Sequence, residues 1–125
     1  MAVAKHLEYL NQGTTCWNEW RSSNLRIRPV LTGARLEDRN FSGINFLKAN
    51  LSGANLARAR FKGANLRYTD FSGCDLTNAD FEDADVMLAD LTGADLSGSS
   101  GLSRDQIEDA LTDETTVLPD GLQPG

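Results

Sequence analysis

A bulky apolar residue recurs at every fifth position from Leu31 to Leu96, without a gap. The series runs Leu31, Leu36, Phe41, Phe46, Leu51, Leu56, Phe61, Leu66, Phe71, Leu76, Phe81, Val86, Leu91 and Leu96. Two residues before most of these stands a small side chain, as at Ala49, Ala54, Ala59, Ala64, Cys74, Ala79, Ala84, Ala89 and Ala94, and Asn or Asp often lies between the two. No helix accommodates this period, because five residues advance a helix by about 500° and successive Leu/Phe would scatter around its axis. A long strand fails as well, since alternation of period two breaks at each fifth residue. What remains is a chain in which a small and a large residue, two apart, both point inward before the backbone turns a corner. Repeating that corner closes a coil.

A second period bears on the number of sides. Gly33, Gly43, Gly53, Gly63, Gly73 and Gly93 recur at multiples of ten residues, while Asp38, Lys48, Arg58, Tyr68, Asn78 and Leu88 hold the intervening equivalents. Glycine suits corners with positive φ, so the pattern predicts two alternating turn types, hence an even number of sides, and four sides of five residues.

The runs Ala49-Asn50-Leu51-Ser52-Gly53, Ala54-Asn55-Leu56-Ala57-Arg58 and Ala94-Asp95-Leu96-Ser97-Gly98 resemble the pentapeptide-repeat signature A-(D/N)-L-x-x over residues 29–101. The resemblance implies an all-β solenoid, a right-handed quadrilateral β-helix, here of about 3.5 coils. Twenty residues per coil stack Phe41, Phe61 and Phe81 in one column, Leu31, Leu51, Phe71 and Leu91 in another, and Leu36, Leu56, Leu76 and Leu96 in a third. Phe46, Leu66 and Val86 form the last. Rungs should lie about 4.8 Å apart.

Three parts follow: a helical cap over 1–28, the repeat region over 29–101, and a short helix with an extended tail over 102–125. Val3, Leu7, Leu10, Thr14 and Trp17 follow helical spacing, with a break at Gly13-Thr14, so residues 3–22 read as one broken helix or two short ones lidding the first coil. Ser103-Arg104-Asp105-Gln106 matches a capping box and starts a helix to about Leu111, with Ile107 and Leu111 facing inward. A turn is predicted at Pro119-Asp120-Gly121. Arg39 occupies an inward position near the open end, where it could reach solvent.

Charge is split along the chain: eleven Lys/Arg against four Asp/Glu up to Tyr68, a balance of +7, then one Arg against fourteen acids, a balance of −13. Such a split suits two partners or an unselected surface. Met1–Leu10 carries Lys5, His6 and Glu8 and lacks the uninterrupted apolar stretch of a secretory signal. No apolar run is long enough to span a membrane. Cys16 and Cys74 have neither disulfide nor zinc spacing, which fits reduced thiols in a cytoplasmic protein, with Cys74 buried and inert.

Nothing in the pattern supplies catalytic, cofactor-binding or metal-binding residues. His6 has no partner at useful spacing and reads as a surface residue, and consecutive aspartates from Asp70 to Asp95 fall on different sides. The expected role is a non-enzymatic protein-interaction module with an unidentified protein partner, acting as a monomer or as a dimer through its C-terminal tail. Its candidate docking face holds Leu47, Arg67 and Met87 beside Lys48, Tyr68 and Leu88, the side without corner glycines and with exposed apolar groups. The resemblance also implies an alternative, a DNA mimic that modulates a type II topoisomerase such as gyrase. The acidic second half suits it, and the basic first half and short coil do not. Direct nucleic-acid binding is disfavoured, because Arg58, Arg60, Lys62 and Arg67 fall on three sides rather than in one groove.

Overall fold

The computed structural model describes residues 1–122, so the last three residues of the predicted tail lie outside the described residues. The pentapeptides form β-turns, nearly all closed by a backbone hydrogen bond such as Ala34 N–H to Leu31 O at 3.2 Å and Ala54 N–H to Leu51 O at 2.9 Å. The residue before each central Leu or Phe pairs in parallel with its equivalent twenty residues on, from Val30 with Asn50 through Asp80 with Ser100. Four pentapeptides therefore make one coil. The pairings are single bridges rather than strands, because each side contributes one extended position before the next corner.

The small residue and the central residue point inward together. Leu31, Leu51, Phe71 and Leu91 are buried, as are Leu36, Leu56, Leu76 and Leu96, and the alanines beside them fill the corners of the section. Phe41, Phe61 and Phe81 are buried in a stacked column, with ring centroids 5.7 and 5.3 Å apart. At two of these small inward positions the polar atom donates to the coil before it: Thr69 Oγ1 to Phe46 O at 2.7 Å and Cys74 Sγ to Leu51 O at 2.9 Å.

The Asn/Asp of the signature has a mechanical task. Its Oδ1 accepts a hydrogen bond from the amide two residues on, as Asn50 does from Ser52 (3.1 Å) and Asp90 from Thr92 (3.0 Å). A following Ser or Thr hydroxyl adds a second bond to the same oxygen, at 2.6 Å from Ser72 to Asp70. These Asx turns lead the chain into each corner.

The alternation of turn types predicted from the glycines is not what the backbone does. Asp38, Lys48, Arg58, Tyr68, Asn78, Asp83 and Leu88 all have φ between 57° and 64°, and the corner glycines from Gly33 to Gly98 have φ of 66–72°. Every corner uses the same left-handed residue, and glycine merely adopts it without steric cost. Four sides follow from the twenty-residue register, not from alternating turns.

Two helices, α1 (Ala4–Asn11) and α2 (Thr14–Ser22), lie on the first coil. They serve its unpaired upper edge, where exposed N–H and C=O groups would otherwise lack partners. Trp17 Nε1 donates to Asn45 O at 2.7 Å, and Asn18 both donates to Gly43 O (3.0 Å) and accepts from Asn45 N–H (2.8 Å). Trp17 is wholly buried, with its ring edge-on to Phe46, and Trp20 stacks on Tyr9.

Two polar residues of this end, His6 and Arg39, depart from their predicted placement, and a third, Arg21, had none. His6 is half-buried against Trp20, and its Nδ1 accepts the Val30 N–H at 2.9 Å, so it is a lid contact rather than a surface residue. Arg39 bends up to the lid, donating to Leu10 O (3.2 Å) and Asn11 Oδ1 (2.8 Å), where it meets the C-terminal end of α1 instead of open solvent. Arg21, which the spacing did not single out, is fully buried and donates to the carbonyls of Asn24, Ile27 and Leu47 at 2.8–2.9 Å.

At the other end, Ser103 and Gln106 form a reciprocal capping box that starts α3 (Arg104–Asp109), with Ile107 buried. The helix ends two residues before Leu111. Leu111 is 48% exposed and pairs with Asp90, and Val117 pairs with Asp95. Both take the outward signature position, which is why Leu111 does not face the core. Spacings of 21 and 22 residues replace the usual twenty, so the tail resumes the coil after the helix has stood in for one side.

Candidate protein-docking face

One side of the coil differs from the other three. Its corner positions are Lys48, Tyr68 and Leu88, whereas the equivalent columns are Gly33, Gly53, Gly73 and Gly93; Asp38, Arg58, Asn78 and Gly98; and Gly43, Gly63 and Asp83. Only this side puts large apolar groups at φ near 57°, a conformation that costs an L-residue about 1–2 kcal/mol. Beside them stand Leu47, Arg67 and Met87. Tyr68, Met87 and Leu88 are 48, 38 and 41% exposed, Lys48 is exposed, and Leu47 and Arg67 are half-buried.

The backbone sets these side chains in register. Lys48 N–H donates to Arg67 O at 3.0 Å, Tyr68 N–H to Met87 O at 3.1 Å, and Leu88 N–H to Asp109 O at 2.9 Å, so Asp109 of α3 takes the place that Arg67 and Met87 hold in the column beginning at Leu47. At the upper end, the buried Arg21 guanidinium joins Ile27 O to Leu47 O, and Arg28 donates to Lys48 O at 3.1 Å. Burial lowers the Arg21 pKa; its Nη1 and Nη2 are held by three carbonyls, while its buried Nε has no hydrogen-bond partner. Sequence spacing missed both extensions, since Ile27 and Arg28 precede the repeat and α3 has no five-residue period.

Arg67 lies flat along the face, with Nη1 3.4 Å from Asp85 Oδ2 and Nη2 3.1 Å from Met87 Sδ. It is one of several ion pairs that cross from the basic coils to the acidic ones, with Arg28–Asp70 (3.8 Å) and Lys62–Glu82 (4.0 Å). A further pair, Arg58–Asp38, is bidentate and holds the Asp38 carboxyl below the usual carboxylate range. Apart from the half-buried Asp70 carboxylate, the paired groups are solvent-exposed, and such pairs contribute little to stability. Among the described residues no helix is long and apolar enough to cross a membrane, and no cluster of three or more His, Cys, Asp or Glu could hold a metal ion.

The model of the family "Pentapeptide repeats (8 copies)" matches residues 30–67, 54–93 and 69–100, well over half of the chain. Among solved structures, HetL, a pentapeptide repeat protein involved in heterocyst differentiation regulation from the cyanobacterium Nostoc sp. strain PCC 7120, is 33% identical with a TM-score of 0.60. That match covers 70% of this chain but only 41% of HetL, so the chain spans less than half of that relative's length. The pentapeptide repeat protein alr5209 of Nostoc PCC 7120 is 29% identical, covering 76% of this chain and 74% of that one, with a TM-score of 0.45. QnrB1, a plasmid-mediated fluoroquinolone resistance protein, is 23% identical, covering 78% and 65% respectively, with a TM-score of 0.46. No curated protein matches the chain. With the five-residue signature, the twenty-residue coil and the family match in agreement, the chain belongs to the pentapeptide repeat family.

Proposed function

We propose that the chain is a non-catalytic protein-interaction module whose docking face is the Leu47, Lys48, Arg67, Tyr68, Met87 and Leu88 side. The supporting observation is the placement of Tyr68 and Leu88 at left-handed corners, in exposed positions. A solvent-facing aromatic or aliphatic residue gains nothing there that glycine or asparagine would not supply at lower cost. Strain retained at an exposed apolar site is the kind that serves recognition. In this reading residues 1–28 lid the coil, 29–101 form the right-handed rod, and 102–125 close it, so that the rod displays the face on a rigid frame.

The test is affinity capture from native lysate with the wild-type chain and a variant carrying Leu47→Ser, Tyr68→Ser, Met87→Ser and Leu88→Ser. A partner held by the wild type and lost by the variant supports the face. Equal recovery of every partner by both proteins rejects it. Ion pairs from Arg28, Lys62 and Arg67 onto the acidic coils weigh against a DNA mimic. Topoisomerase subunits recovered equally by both proteins would reverse that judgement and move attention to the acidic half.

A further inference from the structure

The turn from Asn24 to Ile27, which leads from the lid into the first coil, is held by a buried cation. Arg21 Nη1 donates to Asn24 O at 2.8 Å and to Ile27 O at 2.9 Å, and Ile27 N–H closes the turn on Asn24 O at 3.1 Å. This fixed turn presents Leu25, 60% exposed, the exposed Arg26, and Ile27, 43% exposed. At the other end of the coil, where Leu111 and Val117 form the last bridges, α3 and the tail border a hollow of about 340 Å³. Its apolar lining comes from Ile107, Leu118 and Leu122, and Glu108, Asp113 and Glu114 stand around it as exposed acids. We propose that the hollow takes the Leu25–Ile27 turn of a second copy, so that chains join head to tail.

The two surfaces match in kind. Residues 22–30 carry Arg26 and Arg28 and no acid, interleaved with the two apolar side chains. Arg28 is engaged with Lys48 O and Asp70, whereas Arg26 has no hydrogen-bond or ion-pair partner among the described residues. Around the hollow, three acids face one cation, Arg104, which is turned to Gly121 O at 3.2 Å. Asp113 is occupied in its own turn with Thr115, but Glu108 and Glu114 have no such partner among the described residues. A cation set among apolar groups on one surface thus meets acids set around apolar groups on the other.

One copy cannot make this contact with itself. The column Val30, Asn50, Asp70, Asp90 and Leu111 contains four spacings, which hold the two ends about 19 Å apart at about 4.8 Å per rung. Because the paired surfaces differ, the contact is heterologous: each joined pair still offers one turn and one hollow, and the assembly extends rather than closes. The Arg21 clamp fixes the turn before it docks, which lowers the ordering cost. A single turn in a single hollow falls below the roughly 800 Å² per partner of a standard interface, so the dissociation constant should be on the order of 10–100 µM.

Sedimentation equilibrium of the full chain, over about 5 µM to 1 mM at physiological ionic strength, tests this. The weight-average mass of the wild type should climb past that of a dimer without a plateau. A turn variant carries Leu25→Ser, Arg26→Ser and Ile27→Ser, and a hollow variant carries Glu108→Lys and Glu114→Lys. Each alone should associate at least about tenfold more weakly than the wild type. Mixed in equal amounts they should form a one-to-one dimer and stop there, because the first keeps an intact hollow and the second an intact turn. The four-serine variant of the docking face should assemble as the wild type does, which separates this contact from that face. A wild type that stays monomeric, a wild type that levels off at dimer, or a mixture of melt-matched variants that forms no dimer overturns the proposal. Loss of assembly in the four-serine variant also overturns it, by assigning assembly to the docking face. Where thermal melts show a variant unfolded, the wild type decides: about 0.5 M salt should weaken its association several-fold, and unchanged association rejects the charge match.

Discussion

Phe61 stacks on Phe81 with ring centroids 5.3 Å apart and planes 17° from parallel, and on its other side it stacks on Phe41 at 5.7 Å. Its ring is fully buried, with aromatic neighbours in the coils on both sides. Phe61→Ala should therefore cost about 3–5 kcal/mol in a denaturant titration. A loss below about 1 kcal/mol would mean that the column does not act as the spine of the core.

The left-handed corners give a prediction of opposite sign. Asn adopts positive φ with less strain than Leu or Tyr, and both side chains at issue are solvent-facing. Leu88→Asn and Tyr68→Asn should each raise stability by up to about 1 kcal/mol while weakening whatever binds the face. Chemical denaturation and a binding assay on the same variants check this together. Lower stability with unchanged binding would show that the two residues belong to the packing.

His6 makes the lid sensitive to pH. Burial, the larger cause, and the nearby Arg21 cation lower its pKa below the ordinary 6.5. The unfolded chain then binds more protons, so this stabilisation is complete above about pH 6.5 and is lost as pH falls through that value toward the folded pKa. Protonation at Nδ1 would also remove the acceptor of the Val30 N–H. Unfolding midpoints between about pH 5 and 7.5 should fall with acid for the wild type and much less for His6→Asn. Asp38, Asp95 and Asp113 have pKa values lowered from 3.8 and lose their contributions only in stronger acid. Parallel pH profiles for the two proteins would exclude His6.

Thiol labelling should separate the two cysteines. Burial pushes the Cys74 pKa up to about 12, and its Sγ is occupied with Leu51 O, whereas Cys16 is only partly buried on α2. At pH 8 a thiol-specific reagent should modify one cysteine in the native chain and both after denaturation. Rapid native modification of Cys74 would show that the coil opens readily.

The repeat was legible because each pentapeptide solves the same local problem: one small and one large residue inward, an Asx turn, and a left-handed corner. Strict spacing carries that information without tertiary context. The corner glycines misled for a related reason, since Tyr68 and Leu88 accept the conformation glycine prefers and sequence does not display a tolerated strain. The ends were harder to read. Arg21 and His6 are placed by carbonyl and amide groups of the first coil, at Leu47 and Val30, and such partners leave no period in the chain. Leu111 looked like a helical core residue until its bridge to Asp90 put it on the outward position. The outward columns of the face follow from the same register as the core, but its continuation to Arg28 and Asp109 depends on how the caps meet the coil.

The Asx turns carry a consequence for the surface. Asn and Asp offer the same Oδ1 to the same amide, at 3.1 Å in Asn65 and 2.9 Å in Asp80, so the corner forms with either. Exchanging one for the other changes the rod by a full unit of charge and leaves its shape alone. The electrostatic field can thus be rewritten rung by rung, through one atom per repeat, while the geometry that presents it stays constant. Here the rungs from Asn40 to Asn65 carry no acid at this position and those from Asp70 to Asp95 are all acid, on one continuous frame.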